Sequence, residues 1–210
     1  MKKIILIGDS IRQGYDRYVK MALEGVAEVY YTEDNCRFTT YILRELYDWK
    51  NRWQCGDDVD LIHWNAGLWD CFTLFDGETL LPIEDYVRNL HRICRNMKAL
   101  YPNAKMIFAT STPVIERYKV QIRRNADIER YNAAAVEVLR QYGAEINDLY
   151  GLLKDVPESY HSDLTHYYTK QATELITNQV LSHIENALDI TANPLDFEEL
   201  FRKKEDAIGM

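Results

Sequence analysis

The sequence lacks any long apolar stretch. A transmembrane helix needs roughly 20 consecutive apolar residues, and no part of the 210-residue chain approaches that length. The apolar run nearest the N-terminus covers only Ile4 to Ile7 and leads directly into a polar turn. A secretory signal needs a longer apolar core, so we predict a strand at this position and a cytoplasmic protein.

The sequence also lacks an excess of basic residues. Its 25 lysines and arginines stand against 33 aspartates and glutamates, which gives a formal net charge of -8 at pH 7. Binding to nucleic acid or to an anionic membrane draws its affinity from a basic face. We therefore expect neither a nucleic-acid partner nor a membrane partner.

Cysteine is scarce and poorly spaced for a metal. The four cysteines lack the close pairing of a zinc site and the density of a disulfide scaffold, so we expect reduced thiols. The His-x-x-x-His pattern and the glycine-rich phosphate loops of nucleotide enzymes are missing as well. These absences argue against metal-dependent and nucleotide-dependent chemistry.

What the sequence does contain is an alternation of short β-rich apolar runs with longer amphipathic segments. This pattern predicts an α/β fold in which helices cover both faces of a parallel sheet. The predicted strands are Lys3–Gly8, Ala27–Tyr31, Leu61–Asn65, Lys105–Thr110 and Glu145–Asp148. The predicted helices are Tyr15–Leu23, Thr39–Trp53, Pro82–Tyr101, Asn125–Tyr142 and Thr169–Leu188.

We predict one domain over residues 1–190, followed by a C-terminal tail over 191–210 that packs on it. The Asn193-Pro194 pair marks a turn, and Leu195–Lys203 is either a short helix against the domain or an interaction arm.

Ser10 follows the first predicted strand. Ligands of open parallel sheets bind beyond the carboxyl ends of the strands. A serine at such a strand-to-helix turn exposes its hydroxyl beside free backbone N–H groups that can stabilise an oxyanion. The alternative is that Ser10 only caps the following helix.

A serine nucleophile requires a base. His166 follows the fifth strand, at the same sheet edge as Ser10, and Asp163 precedes it by three residues. The carboxylate of Asp163 can fix one imidazole nitrogen while the other takes the serine proton. The alternative is that Ser162 or Asp163 caps the last long helix and His166 is merely exposed.

Two motifs of this chain resemble the first and last sequence blocks of the SGNH (GDSL-like) hydrolases. They are Gly8-Asp9-Ser10, directly after an N-terminal strand, and the Asp-x-x-His motif near the other end of the chain. The resemblance implies a flavodoxin-like three-layer fold with strand order 2-1-3-4-5. It also implies a triad of Ser10, His166 and Asp163 that hydrolyses esters without a metal or an organic cofactor. The implied oxyanion hole combines the Ser10 N–H, a backbone N–H after strand two and an asparagine side chain after strand three.

The loop after strand two departs from the family pattern because it contains no glycine. Its Arg37 has three interpretations. The backbone N–H of Arg37 completes the oxyanion hole, its guanidinium binds a polar or anionic group of the substrate, or it is an ordinary surface arginine.

The loop after strand three also departs from the family pattern. The family has Gly-x-Asn-Asp there, whereas this chain has Asn65-Ala66-Gly67-Leu68-Trp69-Asp70. Trp69 occupies the asparagine position of that pattern. We expect Asn65 to supply the amide donor instead, although it could serve only to fix the turn. Trp69 is the candidate platform on which a sugar ring of the substrate stacks.

The resemblance implies a carboxylic ester hydrolase, and we expect small acyl groups, acetyl above all, carried by a carbohydrate or a similar polar small molecule. One alternative keeps the triad but acts on longer acyl chains, as a lipase, thioesterase or lysophospholipase. The altered middle blocks support another, a catalytically degenerate member that only binds a glycan or a protein. The sequence makes no prediction of the oligomeric state.

Overall fold

The computed structural model describes residues 1–117 and 122–208, with only the backbone of 203–208. Its centre is a five-stranded, all-parallel sheet with strand order β2-β1-β3-β4-β5, as the family resemblance implies. The strands are β1 (Lys2–Ile7), β2 (Ala27–Tyr31), β3 (Leu61–Trp64), β4 (Lys105–Ala109) and β5 (Glu145–Asn147).

Helices connect the strands and cover both faces of the sheet, which confirms the predicted α/β class. They are α1 (Ser10–Ala22), α2 (Thr39–Trp53), α3 (Ile83–Leu100), α4 (Asn125–Gln141), α5 (Leu149–Leu153), α6 (Lys170–Leu188) and α7 (Phe197–Ile208), with a 3-10 turn over Glu158–Tyr160. No helix among the described residues is long and apolar enough to span a membrane.

The central strands are buried on both faces, and this explains their continuous apolar runs. Ile4 to Ile7 of β1 and all of β3 are buried. In register, Ile4 pairs with Leu61 and Ile7 with Trp64, so β1 and β3 end side by side. The residues that follow these two strands therefore lie at one edge of the sheet.

The first helix begins five residues before the predicted start at Tyr15. Arg12 breaks the apolar pattern there, yet its side chain is buried and forms an ion pair with Asp16 one turn later. Charged residues are usually exposed, so a hydrophobic pattern does not count a buried arginine as part of the apolar face of a helix. The prediction therefore placed the start of the first helix too late.

The residues after α6 lie against α1. The N–H of Asn193 donates to the carbonyl of Ala22 at 2.7 Å, and the ring of Phe197 packs on Tyr18 with centroids 5.5 Å apart. The last two residues of the predicted tail, 209–210, lie outside the described residues. The four cysteines are free and buried.

Candidate active site

Ser10 is the first residue of α1, directly beyond the carboxyl end of β1. Asp9, not Ser10, caps this helix, because its Oδ1 accepts the N–H of Ile11 at 3.0 Å. The interpretation of Ser10 as the helix cap is therefore wrong. The Ser10 side chain is free to turn toward the C-terminal loops.

Ser10, His166 and Asp163 form one chain of hydrogen bonds. Ser10 Oγ lies 2.8 Å from His166 Nε2, and His166 Nδ1 lies 2.7 Å from Asp163 Oδ2. Ser10 and His166 are 156 positions apart in the sequence. The parallel sheet brings all three residues together at one edge. Thr169 caps α6, so the interpretation of Ser162 or Asp163 as that cap is wrong.

The loop that carries Asp163 and His166 is closed by its own hydrogen bonds. Asp163 Oδ1 accepts the N–H groups of Thr165 at 2.7 Å and of His166 at 2.8 Å. Burial acts to raise the pKa of Asp163, but these bonds and the imidazole outweigh it and hold the pKa below its usual value. The carboxylate is thus ionised at neutral pH and fixes His166 Nδ1 as the protonated nitrogen.

Tyr168 is a site residue that sequence reasoning missed. Its ring stacks on the His166 ring with centroids 4.9 Å apart, and its hydroxyl donates to the carbonyl of Ser10 at 2.7 Å. Gly14 makes room for that ring, because a Cβ at this position would lie 2.9 Å from Tyr168 Cε1. A glycine inside a helix was the one available signal, since it commonly marks close packing.

Asn65 lies immediately after β3, buried beside Asp9. Its Nδ2 donates to Asp9 Oδ1 at 2.9 Å, which leaves one amide proton for another acceptor. Gly8 is required for this arrangement, because a Cβ there would lie 1.9 Å from Asn65 Oδ1. Within the described part of the chain, the N–H of Ser10 has no hydrogen-bond acceptor, as expected at a helix N-terminus.

Asp9 is a buried carboxyl group held next to the nucleophile. Burial raises its pKa, while the bonds from Asn65 and Ile11 and the charge of Arg123 act in the opposite direction. Its Oδ2 has no hydrogen-bond partner among the described residues. Asp9 therefore orients Asn65 and the first turn of α1.

The loop after β2 is fastened to α1 by Arg12. The buried guanidinium donates to the carbonyl of Thr32 at 2.8 Å and to that of Asp34 at 2.5 Å. The N–H of Cys36 donates to the carbonyl of Gly8 at 3.1 Å. The backbone of this loop consequently lies alongside the turn that carries Ser10.

Arg37 adopts φ of 46°, in the left-handed region that favours glycine. Its N–H donates to Asn35 Oδ1 at 2.9 Å, and its exposed guanidinium lies over the Tyr41 ring at 5.1 Å. Arg37 thus holds a backbone conformation that favours glycine, in a loop that contains no glycine. As an oxyanion donor, the Arg37 N–H would have to be shared with or released by Asn35.

Asp70 connects the loop after β3 to the start of α2. Its Oδ1 accepts the Thr39 N–H at 3.0 Å and the Thr39 hydroxyl at 2.6 Å. Burial raises the pKa of Asp70 to about 6, although both bonds from Thr39 oppose the shift. One buried carboxyl group therefore joins the loop after β3 to the helix that follows the loop after β2.

Trp69 is half-buried in the loop after β3, beneath the guanidinium of Arg123, whose Cζ lies 5.5 Å from the Trp69 ring centroid. Arg123 precedes α4 and also donates from Nε to the carbonyl of Leu68 at 3.0 Å. Sequence reasoning missed Arg123, because a single arginine in a loop carries no local pattern.

His63 is a core residue. Tyr15 Oη lies 3.4 Å from its Nδ1 and Asn147 Nδ2 lies 3.2 Å from its Nε2. Burial lowers the pKa of His63 to about 3, so the ring is neutral. Of the described histidines, only His166 is hydrogen-bonded to the hydroxyl of a serine.

The site is of the serine-hydrolase type. A serine, a histidine and an aspartate are hydrogen-bonded in series at the carboxyl edge of a parallel sheet. The chain belongs to the GDSL-like lipase/acylhydrolase family, whose model matches residues 6–169. It is accordingly an enzyme, a hydrolase of the esterase and acylhydrolase kind. No curated protein matches the chain.

Several solved structures share the fold. An acetyl xylan esterase, AlAXEase, is 16% identical with a TM-score of 0.71, covering 87% of this chain and 99% of its own. A lipase/acylhydrolase from Enterococcus faecalis is 18% identical with a TM-score of 0.71, covering 93% and 100%. The esterase EstA from Pseudoalteromonas sp., inhibited by monoethylphosphonate, is 13% identical with a TM-score of 0.66, covering 90% and 100%.

Proposed function

We propose that this protein is a serine-dependent carboxylic ester hydrolase that removes small acyl groups, acetyl above all, from a carbohydrate or a similar polar molecule. The observation that carries the proposal is the hydrogen-bonded series Ser10–His166–Asp163, with distances of 2.8 Å and 2.7 Å. Both are within the range expected of a nucleophile, its base and an orienting carboxylate.

In the proposed mechanism, Ser10 Oγ attacks the ester carbonyl carbon while its proton passes to His166 Nε2. The imidazolium that forms is stabilised by Asp163, and it protonates the leaving alkoxide to give an alcohol and an acyl-enzyme. Water, deprotonated by His166, then attacks the acyl-enzyme, and the imidazolium returns the proton to Ser10 Oγ as the carboxylic acid leaves. No metal or organic cofactor enters these steps.

Two donors support an oxyanion site next to Ser10. The N–H of Ser10 is unpaired among the described residues, and the second amide proton of Asn65 is unused. Asp9 accepts the other amide proton of Asn65, so the proposed donor is already oriented before the substrate binds. The tie between Asn65 and Asp9 also fixes the turn, and the two roles are compatible.

A small acyl group on a polar carrier is supported by the surroundings of the triad. They include the polar groups of Asp9, Asn65 and Arg123 and the exposed side of Asp163. Trp69 offers an aromatic face on which a sugar ring would stack. The likeness to an acetyl xylan esterase favours the same choice, whereas the likeness to a lipase/acylhydrolase favours the longer-chain alternative.

The first test compares hydrolysis of p-nitrophenyl acetate by the wild-type protein and by Ser10→Ala. We expect the substitution to abolish turnover, and Ser182→Ala, which removes an exposed serine hydroxyl from α6, to retain it. Equal rates for wild type and Ser10→Ala would overturn the nucleophile assignment. A series of p-nitrophenyl esters then sets the acyl length, and a preference for octanoate over acetate would favour the lipase alternative.

A further inference from the structure

Arg123 is an arginine held against aromatic rings at the edge of the candidate active site. Its Nε donates to the carbonyl of Leu68 at 3.0 Å. Its Cζ lies 5.5 Å from the ring centroid of Trp69 and 5.0 Å from that of Phe72. All three partners belong to the loop that begins at Asn65, so the guanidinium is fixed relative to the proposed oxyanion donor.

The positive charge of Arg123 has no carboxylate partner within ion-pair distance among the described residues. The neighbouring Arg124, by contrast, pairs with Asp127 at 2.6 Å. A partly buried charge ordinarily has a partner, because removing it from water is costly. The field of Arg123 reaches Asp9, beside the nucleophile, and Asp163, within the triad. A cation with no ion-pair partner among the described residues therefore lies within electrostatic reach of the triad.

We propose that Arg123 binds a carboxylate of the substrate, so that the preferred esters are carried by acidic polar molecules. This inference rests on the proposed function. With Nε held by Leu68, the two terminal nitrogens make no hydrogen bond to a described residue and retain the fork that matches a carboxylate. The chain has a formal net charge of -8, and the carboxyl groups of Asp9 and Asp163 lie at the site, so an anionic substrate needs a local cation to approach.

The test uses paired esters that carry either a carboxylate or a neutral amide at the same ring position, and each variant is compared with wild type on the same ester. The acetates of para- and meta-hydroxybenzoate carry a carboxylate, and the acetates of the matching hydroxybenzamides replace it with a neutral amide. We measure kcat/KM for each ester with wild type and with Arg123→Gln. Arg124→Gln is the matched control, because it removes an adjacent arginine charge that already has a partner.

We expect wild type to prefer the carboxylate ester of at least one isomer, and Arg123→Gln to lose about 10-fold or more on it, the size of a charge-assisted hydrogen bond. The amide esters should change less than about 3-fold, and Arg124→Gln should behave as wild type. An equal loss on both members of each pair, or no preference for either carboxylate isomer, would overturn the proposal. If wild type hydrolysed none of the esters and matched Ser10→Ala, the proposed function itself would fail. Thermal melting confirms that each variant is folded.

Discussion

Replacing Asn65 with alanine tests the oxyanion hole, where this chain departs most from its family. Asn65 Nδ2 donates one proton to Asp9 Oδ1 at 2.9 Å, and the second proton is the proposed donor to the developing oxyanion. Removing one such donor costs about 100-fold to 1000-fold in kcat, or roughly 3–4 kcal/mol of transition-state stabilisation. The KM should change little, because the bond strengthens only as negative charge develops.

The same substitution also removes a hydrogen bond to a buried carboxyl group, so a separate loss of stability is expected. That loss should be about 1–3 kcal/mol. Asn132→Ala is a suitable control, because Asn132 is likewise buried and bonds the backbone of Ser111 through both amide atoms. We expect this control to melt earlier while keeping kcat within about 3-fold.

The assay is steady-state hydrolysis of p-nitrophenyl acetate at a temperature at which both variants are fully folded, as shown by circular dichroism. If Asn65→Ala retained kcat within about 3-fold of wild type, Asn65 would serve only to fix the turn. A comparable loss of kcat in Asn132→Ala would show that the effect came from destabilisation.

Three further predictions concern the surroundings of the triad. Asp70→Asn should remove a pH dependence of unfolding. The native state, in which the pKa of Asp70 is raised to about 6, still holds the proton that the unfolded chain releases near pH 4. The free energy of unfolding of the wild type should therefore fall by up to ~3 kcal/mol as the pH rises from about 4 to about 6. An unchanged pH slope in denaturant melts of the variant would contradict this. Arg37→Gly should raise the free energy of unfolding by about 1 kcal/mol, because it relieves a left-handed backbone at a non-glycine residue; a lower melting temperature would refute that reasoning. Tyr168→Phe, which retains the stacked ring, should slow fluorophosphonate labelling of Ser10 less than Tyr168→Ala does, and equal rates would show that stacking on the triad histidine is unimportant.

The sheet was predictable because buried parallel strands carry their signal in short continuous segments. Ile4–Ile7 is an apolar run, Leu61–Trp64 is apolar except for the buried His63, and the structure places the two segments side by side. The bounds of α2 were predicted to the residue. The five-residue helix α5 was missed, because it is too short to show a helical period and depends on the Asp148 side chain, which accepts the N–H of Gly151 at 3.0 Å.

Within the candidate site, Ser10, Asp163 and His166 were found from their positions after strands and from the family motifs. Tyr168 and Arg123 were not, because their roles depend on contacts between distant segments. Tyr168 reaches Ser10 across 158 residues, and Arg123 reaches Leu68 across 55. The burial of Arg12 was equally hidden, since arginine is by default a surface residue.

The central claim is that Ser10 is a nucleophile activated by His166. The most direct measurement is mass spectrometry of the protein after incubation with a fluorophosphonate, which reacts only with an activated serine. The account predicts a single adduct on the peptide containing Ser10, and its loss in a His166→Asn variant that is otherwise folded. No adduct on Ser10, or labelling at an equal rate without His166, would contradict it.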